Sequence, residues 1–195
     1  MRLLYATHNA GKAEEARAFL GPRVEVVTAA DLGLAVPEET GDTFRANARL
    51  KALAAMQATG LPALADDSGV EVEALGGRPG VHTADWAEGP GGRDFGRAMA
   101  RVYDELLASG APEPWRARFV AVLCLASPDG PERFWEGAVE GRIVWPPRGL
   151  DGHGYDPAFQ PEGHARTFGE MTLAEKNRLS HRARALQAFA ADHLG

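Results

Sequence analysis

The chain has little lysine, almost no cysteine and no long apolar run. Only three of its 21 basic residues are lysines, Lys12, Lys51 and Lys176. The single cysteine, Cys124, excludes an internal disulfide, and we expect it to be a small buried core residue in a reducing compartment. The apolar stretch at 3–6 is too short for a signal peptide or a membrane span. We therefore expect a cytoplasmic protein with no membrane partner.

The charge balance excludes broad binding to polyanions. The net charge is -6 and no run of basic residues forms a stripe, so we expect no nucleic-acid partner. An anionic ligand would need local cations or a metal. An ammonium is a compact point charge that fits between crowded oxygens, whereas a guanidinium is a broad fork. Each lysine is therefore a candidate phosphate contact, and the alternative is that codon bias has removed lysine at random.

The hydrophobic pattern predicts alternating strands and helices in the first half and an antiparallel pair later. Strands are predicted at 2–6, 24–28, 63–65, 70–74, 118–126 and 133–145, with a hairpin turn at 127–131. Helices are predicted at 13–20, from a cap at 42 or 43 to about 59, after a cap at Asp94, and from about 180. The expected fold class is therefore α/β with a mixed sheet.

The turn between the first strand and the first helix suits an anion. Free backbone N–H groups and the positive end of the helix dipole favour negative charge there. The required glycine spacing of a Walker loop is absent. The alternative is that Asn9 only caps the helix and Lys12 is a solvated surface cation. The candidate phosphate-binding residues are Thr7, His8, Asn9, Ala10, Gly11 and Lys12.

Two adjacent carboxylates, Asp66 and Asp67, lie among small and apolar residues. Such a pair is costly unless a metal or cations compensate it. Mg²⁺ favours one or two carboxylates plus phosphate oxygens and waters, so magnesium is the expected cofactor, and Glu38 or Glu39 could add a ligand. Successive strand residues point in opposite directions, so only one aspartate faces a given site. An acidic turn at 66–69 is the alternative.

Two further clusters carry polar and aromatic groups. His153, Gly154, Tyr155 and Asp156 combine two flat rings with a carboxylate, which suits a stacked base or sugar; the alternative is a packed turn with a buried tyrosine. At the start of the last helix, residues 180–182 offer a hydroxyl, an imidazole and a guanidinium, and the alternative is a serine cap with surface residues. Taken together, the clusters fit a nucleoside triphosphate.

Five ordered blocks resemble the inosine triphosphate pyrophosphatase family. The resemblance runs nearly end to end. It implies one domain over 1–195 with two lobes around a long mixed twisted sheet and a central cleft, magnesium dependence and a homodimer. The blocks are Thr7, Asn9 and Lys12; Glu39, Thr40, Gly41, Asn47, Ala48 and Lys51; Asp66, Asp67, Ser68 and Gly69; Gly154, Tyr155, Asp156, Pro157 and Phe159; and Ser180, His181 and Arg182.

The resemblance implies hydrolysis of ITP, dITP and XTP to the nucleoside monophosphate and pyrophosphate. We expect Asp67 to bind magnesium and accept a proton from the attacking water, with Glu39 as the other ligand and Asp66 as a possible one. The phosphate chain would contact Lys12, Lys51 and the amides of 7–11, with Ser68 nearby. A 6-keto base accepts hydrogen bonds where adenine donates them. Donors that would select such a base are Lys176, His181 and Arg182.

The sequence departs from the family pattern at two positions. His153 stands where the family usually has Phe, which affects base stacking, and Ala46 stands where Glu is common. Two other functions stay open: a pyrophosphatase for modified pyrimidine nucleotides, and a nucleotide sensor without turnover. An aspartyl-phosphate hydrolase is disfavoured because no Asp-x-Asp follows the first strand.

Overall fold

A six-stranded sheet is the central element of the computed structural model, which describes residues 2–22 and 24–193. Its strands are β1 (Arg2–Tyr5), β2 (Glu25–Thr28), β3 (Ala63–Val72), β4 (Trp115–Ser127), β5 (Gly130–Ile143) and β6 (Phe159–Pro161). The strand order is β2-β1-β3-β4-β5-β6; β1 pairs in parallel with β2 and β3, and β5 pairs antiparallel with β6. The sheet is therefore mixed, and the predicted α/β class is confirmed.

Five α-helices and several 3-10 turns connect these strands in the described part of the chain. The helices are α1 (Ala10–Leu20), α2 (Phe44–Thr59), α3 (Phe95–Ser109), α4 (Leu173–Lys176) and α5 (His181–His193). None of the helices within 2–22 and 24–193 is long and apolar enough to cross a membrane. The 3-10 turns are Glu73–Leu75, Gly80–His82, Asp85–Ala87, Asp156–Ala158 and Phe168–Glu170.

The chain divides into two compact units. Unit 1 takes the described residues within 1–67, 121–137 and 181–195, and unit 2 takes 68–120 and 138–180. The single domain and the cleft expected from the family resemblance stay predictions.

Unit 1 has its own apolar core. The backbone of β5 at Gly137 lies close to the backbone of α5, since a Cβ atom on Gly137 would lie 2.1 Å from the carbonyl oxygen of His181. A glycine there lets the start of α5 lie directly against β5. The core residues are Leu3, Tyr5, Ala16, Val26, Leu64, Ala121, Leu123, Leu125, Trp135, Ala185, Leu186 and Phe189.

Unit 2 packs α3 against the sheet. Asp94 caps this helix by accepting hydrogen bonds from the N–H groups of Gly96 and Arg97, as the sequence predicts. Met99, Val102 and Leu106 are buried in the core with residues of β3, β4, β5 and β6. The apolar face of α3 therefore packs into the core of unit 2.

Helix α1 begins earlier than the pattern indicates. The side chain of Asn9 accepts a hydrogen bond from the N–H of Lys12 at 3.1 Å, so the helix starts at Ala10 instead of 13. Ala10, Gly11 and Lys12 consequently form the first helical turn. Helix α2 agrees with its prediction, with Thr43 as its N-cap and Gly60, at φ 70°, as its C-cap.

The segment with the two aspartates also differs from its prediction. One continuous strand, β3, covers Ala63–Val72, so Asp66 and Asp67 lie within a strand and the acidic-turn alternative is wrong. Within this strand, Lys12 and Arg182 pair with the carboxylate of Asp66, and Lys51 pairs with Oδ1 of Asp67. The prediction of a half-exposed strand at 70–74 was too long, since a 3-10 turn starts at Glu73. Strands β4 and β5 extend into the predicted turn and leave a connection of two residues, 128–129.

Candidate functional site

The turn at 7–12 is organised by its own side chains. Thr7 Oγ1 accepts from the N–H of Asn9 at 3.1 Å, and Asn9 in turn caps α1. The amides of His8, Ala10 and Gly11 have no protein acceptor within the described residues. The N–H groups of a first helical turn have no intrahelical partner and point toward a bound anion. Three of the five predicted amides are thus available to a phosphate, while the imidazole Nε2 of His8 donates to the carbonyl of Leu34 at 2.8 Å.

Lys12 is not a solvated surface cation. Its side chain is 17% exposed, and its Nζ lies 3.0 Å from Asp66 Oδ2. Burial lowers the pKa of Lys12, and the neighbouring cations Lys51 and Arg182 add to that effect while Asp66 opposes it. The alternative in which Lys12 is a surface residue is therefore wrong, and the ammonium is fixed beside the first turn of α1.

Asp66 is the centre of a buried charge network. Its Oδ1 accepts a hydrogen bond from the hydroxyl of Tyr5 at 2.8 Å. Its Oδ2 accepts from Lys12 and from both Nε and Nη2 of Arg182 at 3.2 Å. Although burial would raise the pKa of Asp66, the cations Lys12, Arg182 and Lys51 hold it well below its usual range. Both oxygens are occupied, which disfavours Asp66 as a metal ligand.

Arg182 is held from two sides. Its guanidinium forms an ion pair with Glu15 of α1 in addition to the bonds with Asp66. The Glu15 and Arg182 side chains are 1% and 4% exposed. Burial alone would lower the pKa of Arg182, but Glu15 and Asp66 raise it, so this cation stays charged. The unfavourable position of an arginine at the start of α5 is therefore offset by two carboxylates.

Asp67 faces a different set of partners. Its Oδ1 lies 2.9 Å from Lys51 Nζ, and its Oδ2 is buried and has no hydrogen-bond partner within the described residues. The Lys51 ammonium also lies 2.8 Å from Glu39 Oε1, so it bridges the two carboxylates. Burial raises the pKa of Asp67, Glu39 raises it further, and Lys51 and Lys12 oppose the rise. Asp66 and Asp67 therefore contact different side chains, as successive residues of a strand point in opposite directions.

The residues around Asp67 fit a magnesium ion. A buried carboxylate oxygen without a partner carries an uncompensated desolvation cost. Glu39, whose side chain is 42% exposed, supplies a second carboxylate beside the same lysine. Hard oxygen ligands of this kind, completed by waters and phosphate oxygens, are those that Mg²⁺ prefers.

The position of Glu39 depends on a close contact between its loop and α2. The N–H of Gly41 donates to Asn47 Oδ1 at 2.8 Å. A Cβ atom on Gly41 would lie 2.6 Å from that oxygen and 2.7 Å from the Cβ of Ala46, so only glycine fits. Asn47 and Lys51, four residues apart on α2, thus fix the loop and its carboxylate from one helix.

Unit 2 holds the remaining predicted residues, and here the packed-turn alternative describes the structure. Tyr155 is 1% exposed, its hydroxyl donates to the carbonyl of Thr83 at 3.2 Å, and the edge of its ring packs with Phe95. Its ring therefore belongs to the core, and a stacking role for Tyr155 or for the half-buried His153 stays a prediction. Gly154 has φ 69°, a left-handed conformation that favours glycine.

Lys176 is buried against a carboxylate. Its Nζ lies 2.5 Å from Asp156 Oδ2, which also accepts from the N–H of His153 at 2.8 Å. The lysine and aspartate side chains are each 3% exposed. This pair fixes the turn at 153–156, so the predicted contact of Lys176 with a base would have to be made by an ammonium that already binds Asp156.

The predicted residues fall into two groups. Unit 1 brings together residues 7–12, Glu39, Lys51, Asp67 and Arg182, with His181 buried at the start of α5. Unit 2 contains Ser68, which is half-buried in β3, and the turn at 153–156 with Lys176.

Sequence reasoning missed Tyr5 and Glu15, both of which contact the network around Asp66. Glu15 follows Lys12 by three residues and so shares its helix face, a spacing that could have identified it. Tyr5 lies in an apolar strand, and this pattern indicates only that its ring is part of the core. No signal in the sequence shows that its hydroxyl reaches Asp66.

The chain is similar to known proteins over nearly its whole length. The model of the Ham1 family matches residues 3–192. A dITP/XTP pyrophosphatase of Rhizobium meliloti is 55% identical over 99% of this chain and 96% of its own length. One of Ruegeria pomeroyi is 57% identical over 96% of this chain and 92% of its own. The solved structure of a HAM1 protein from Coxiella burnetii superposes with a TM-score of 0.88, at 34% identity and 98% coverage of both chains.

Proposed function

Because this chain belongs to the Ham1 family, we infer that it hydrolyses non-standard purine nucleoside triphosphates to the nucleoside monophosphate and pyrophosphate. The family resemblance predicted from the five motif blocks is thereby confirmed. The expected substrates are dITP, XTP and ITP, and the enzyme class is a hydrolase of acid anhydride bonds. Relatives that are named as pyrophosphatases favour turnover over a sensor that only binds nucleotides.

One observation in the structure carries this proposal. The Lys51 ammonium lies between the carboxylates of Glu39 and Asp67, and the second oxygen of Asp67 is buried without a partner in the described part of the chain. A site that only bound phosphate would gain nothing from a buried carboxylate kept without a donor. A carboxylate whose pKa is raised by burial is suited to accept a proton from water.

We propose that Glu39 and Asp67 hold Mg²⁺. When bound, the ion would act as a Lewis acid that neutralises charge on the phosphate oxygens. Asp66 is a weaker candidate ligand because Tyr5, Lys12 and Arg182 already occupy its oxygens.

Side chains and backbone amides of the protein bind the phosphate chain and position the attacking water. Lys12, Lys51 and the amides of His8, Ala10 and Gly11 bind and orient the phosphate chain. Asp67 orients the attacking water and accepts its proton. No covalent intermediate is required. Catalysis in this scheme comes from positioning and charge neutralisation, and the base contacts expected for Lys176, His181 and Arg182 stay predictions.

The experiment is a measurement of kcat/KM for pyrophosphate release from dITP, XTP, ITP, GTP, ATP and a modified pyrimidine triphosphate, with and without Mg²⁺. We expect a preference of at least about a hundredfold for the 6-keto non-standard purines over ATP, because a site that hydrogen-bonds a 6-keto group discriminates strongly against an adenine, which presents a donor there. Equal constants for ATP and ITP would refute the substrate class. A preference for the modified pyrimidine would favour the alternative enzyme, and binding without turnover would favour a sensor.

We also propose a cytoplasmic homodimer, on the family resemblance alone. Light scattering after size exclusion checks the oligomeric state. A mass of one chain at micromolar concentration would contradict the dimer.

A further inference from the structure

The Tyr5 hydroxyl is a buried polar group that the proposed reaction does not use. Tyr5 is the last residue of β1 and is completely buried in the core of unit 1. It pairs with Leu64 in the parallel register of β1 and β3, and Asp66 follows Leu64 by two residues on the same face of the strand. The hydroxyl therefore reaches across one strand to Asp66 Oδ1, at 2.8 Å.

Both cations bind the other oxygen of Asp66. Lys12 Nζ and both Nε and Nη2 of Arg182 converge on Oδ2, at 3.0, 3.2 and 3.2 Å. A carboxylate with two available oxygens normally accepts a guanidinium through two parallel bonds, one to each oxygen. With Tyr5 bound to Oδ1, both bonds from Arg182 fall on Oδ2 instead. Oδ2 stays directed toward Lys12.

We propose that Tyr5 is a positioning residue, whose hydroxyl fixes the Asp66 carboxylate so that Asp66 Oδ2 holds the Lys12 ammonium in place for the phosphate chain. Without the Tyr5 hydroxyl, the Asp66 carboxylate rotates about χ2, a torsion with a low barrier. Its two oxygens then each accept a hydrogen bond from the Arg182 guanidinium. Lys12 then loses its fixed position. Among the described residues, Asp67, Lys51 and Glu39 form no hydrogen bond with Tyr5, so we expect their chemistry to be unchanged.

The inference rests on the proposed function for its kinetic readout but not for its binding readout. In Tyr5→Phe we expect KM for ITP to rise about three- to tenfold with kcat changed by less than about twofold. The dissociation constant of magnesium pyrophosphate, measured by calorimetry, should rise by a similar factor. The matched control is Tyr103→Phe, which removes a hydroxyl from a half-buried tyrosine of α3 stacked on Trp145. Its constants should equal those of the wild type.

A double-mutant cycle shows whether Tyr5 acts through Lys12. In a Lys12→Ala background, Tyr5→Phe should change pyrophosphate affinity by less than about twofold, because the group that it positions is already absent. An equal loss in both backgrounds, or no loss in either, overturns the inference. If the wild type binds pyrophosphate but hydrolyses no nucleotide, the proposed function fails while the cycle still decides the role of Tyr5.

The scarcity of lysine provides a direct structural readout. Selective ¹³C labelling of the lysine side chains gives signals from only three residues, Lys12, Lys51 and Lys176. In Tyr5→Phe the Cε signal of Lys12 should move while the other two stay in place. A shift of all three signals, or a lowered melting temperature with no shift of Lys12, would show a merely structural role. If Tyr5→Phe does not fold, Tyr5→Leu is used for the same measurements.

Discussion

Replacing Lys51 by arginine conserves charge and should still impair turnover. Lys51 Nζ lies 2.8 Å from Glu39 Oε1 and 2.9 Å from Asp67 Oδ1, and its side chain is only 12% exposed. A guanidinium is broader than an ammonium, so it cannot occupy the same place without moving one of the carboxylates. The substitution therefore disturbs the group that we expect to accept the proton.

The magnitude follows from the contact with Asp67. The Glu39 side chain is 42% exposed, so its ion pair is discounted for screening by solvent. A hydrogen bond to a charged group contributes roughly 1.5–3 kcal/mol, so loss of the Asp67 contact lowers kcat/KM by about 10- to 100-fold.

The assay is steady-state pyrophosphate release from ITP at saturating Mg²⁺, with circular dichroism as the test of folding. The matched control is Arg49→Lys on the same helix, where an exposed arginine pairs with Glu132 at 2.8 Å; its kcat/KM should stay within about twofold of the wild type. If folded Lys51→Arg also stays within that range, the reasoning from the shape of the ammonium is wrong. The scarcity of lysine would then be a matter of codon usage.

Three further predictions concern the carboxylates and their support. Asp67→Asn should lower kcat by about 10²- to 10⁴-fold in a folded protein. Normal turnover of this variant would contradict the role of Asp67 as proton acceptor. Gly41→Ala should raise the Mg²⁺ concentration needed for half-maximal activity, because the Cβ of the new alanine would lie 2.6 Å from Asn47 Oδ1. The control is Gly91→Ala, where a Cβ would have nothing within 4 Å. Equal Mg²⁺ requirements in the two variants would contradict the proposed support of the loop. The depressed pKa of Asp66 contributes stability above the unfolded value of about 3.9 that is lost as pH falls toward the folded value. Urea midpoints between about pH 5 and pH 2 should therefore fall more steeply for the wild type than for Asp66→Asn, and parallel curves would exclude this contribution.

The parts of the fold with local signals were predictable from the sequence. The caps Thr43 and Asp94 and the αL glycine at 60 fixed the bounds of α2 and the start of α3, because a cap satisfies backbone groups within its own turn. The start of α1 was misplaced by three residues. Its first turn contains Gly11 and a lysine, which weaken the apolar pattern that indicates a helix.

The long-range contacts around Asp66 and Asp67 were not predictable. An acidic pair within an apolar segment indicates a turn or a metal site, and the sequence does not show that Lys12, Arg182 and Tyr5 surround the first carboxylate. These residues are far apart in the chain and meet only through the register of β1 and β3 and the packing of α1 and α5. The motif blocks still identified Glu39, Lys51 and Asp67 as candidates, and the structure adds that one ammonium joins them.

The most direct measurement is the identity of the phosphorus products of ITP hydrolysis, followed by ³¹P NMR with the wild-type protein and Mg²⁺. The account predicts one pyrophosphate for each inosine monophosphate and no orthophosphate. It also predicts that folded Asp67→Asn forms neither product at a comparable rate. Release of orthophosphate with inosine diphosphate, or pyrophosphate formation that continues unchanged in Asp67→Asn, would contradict the central claim.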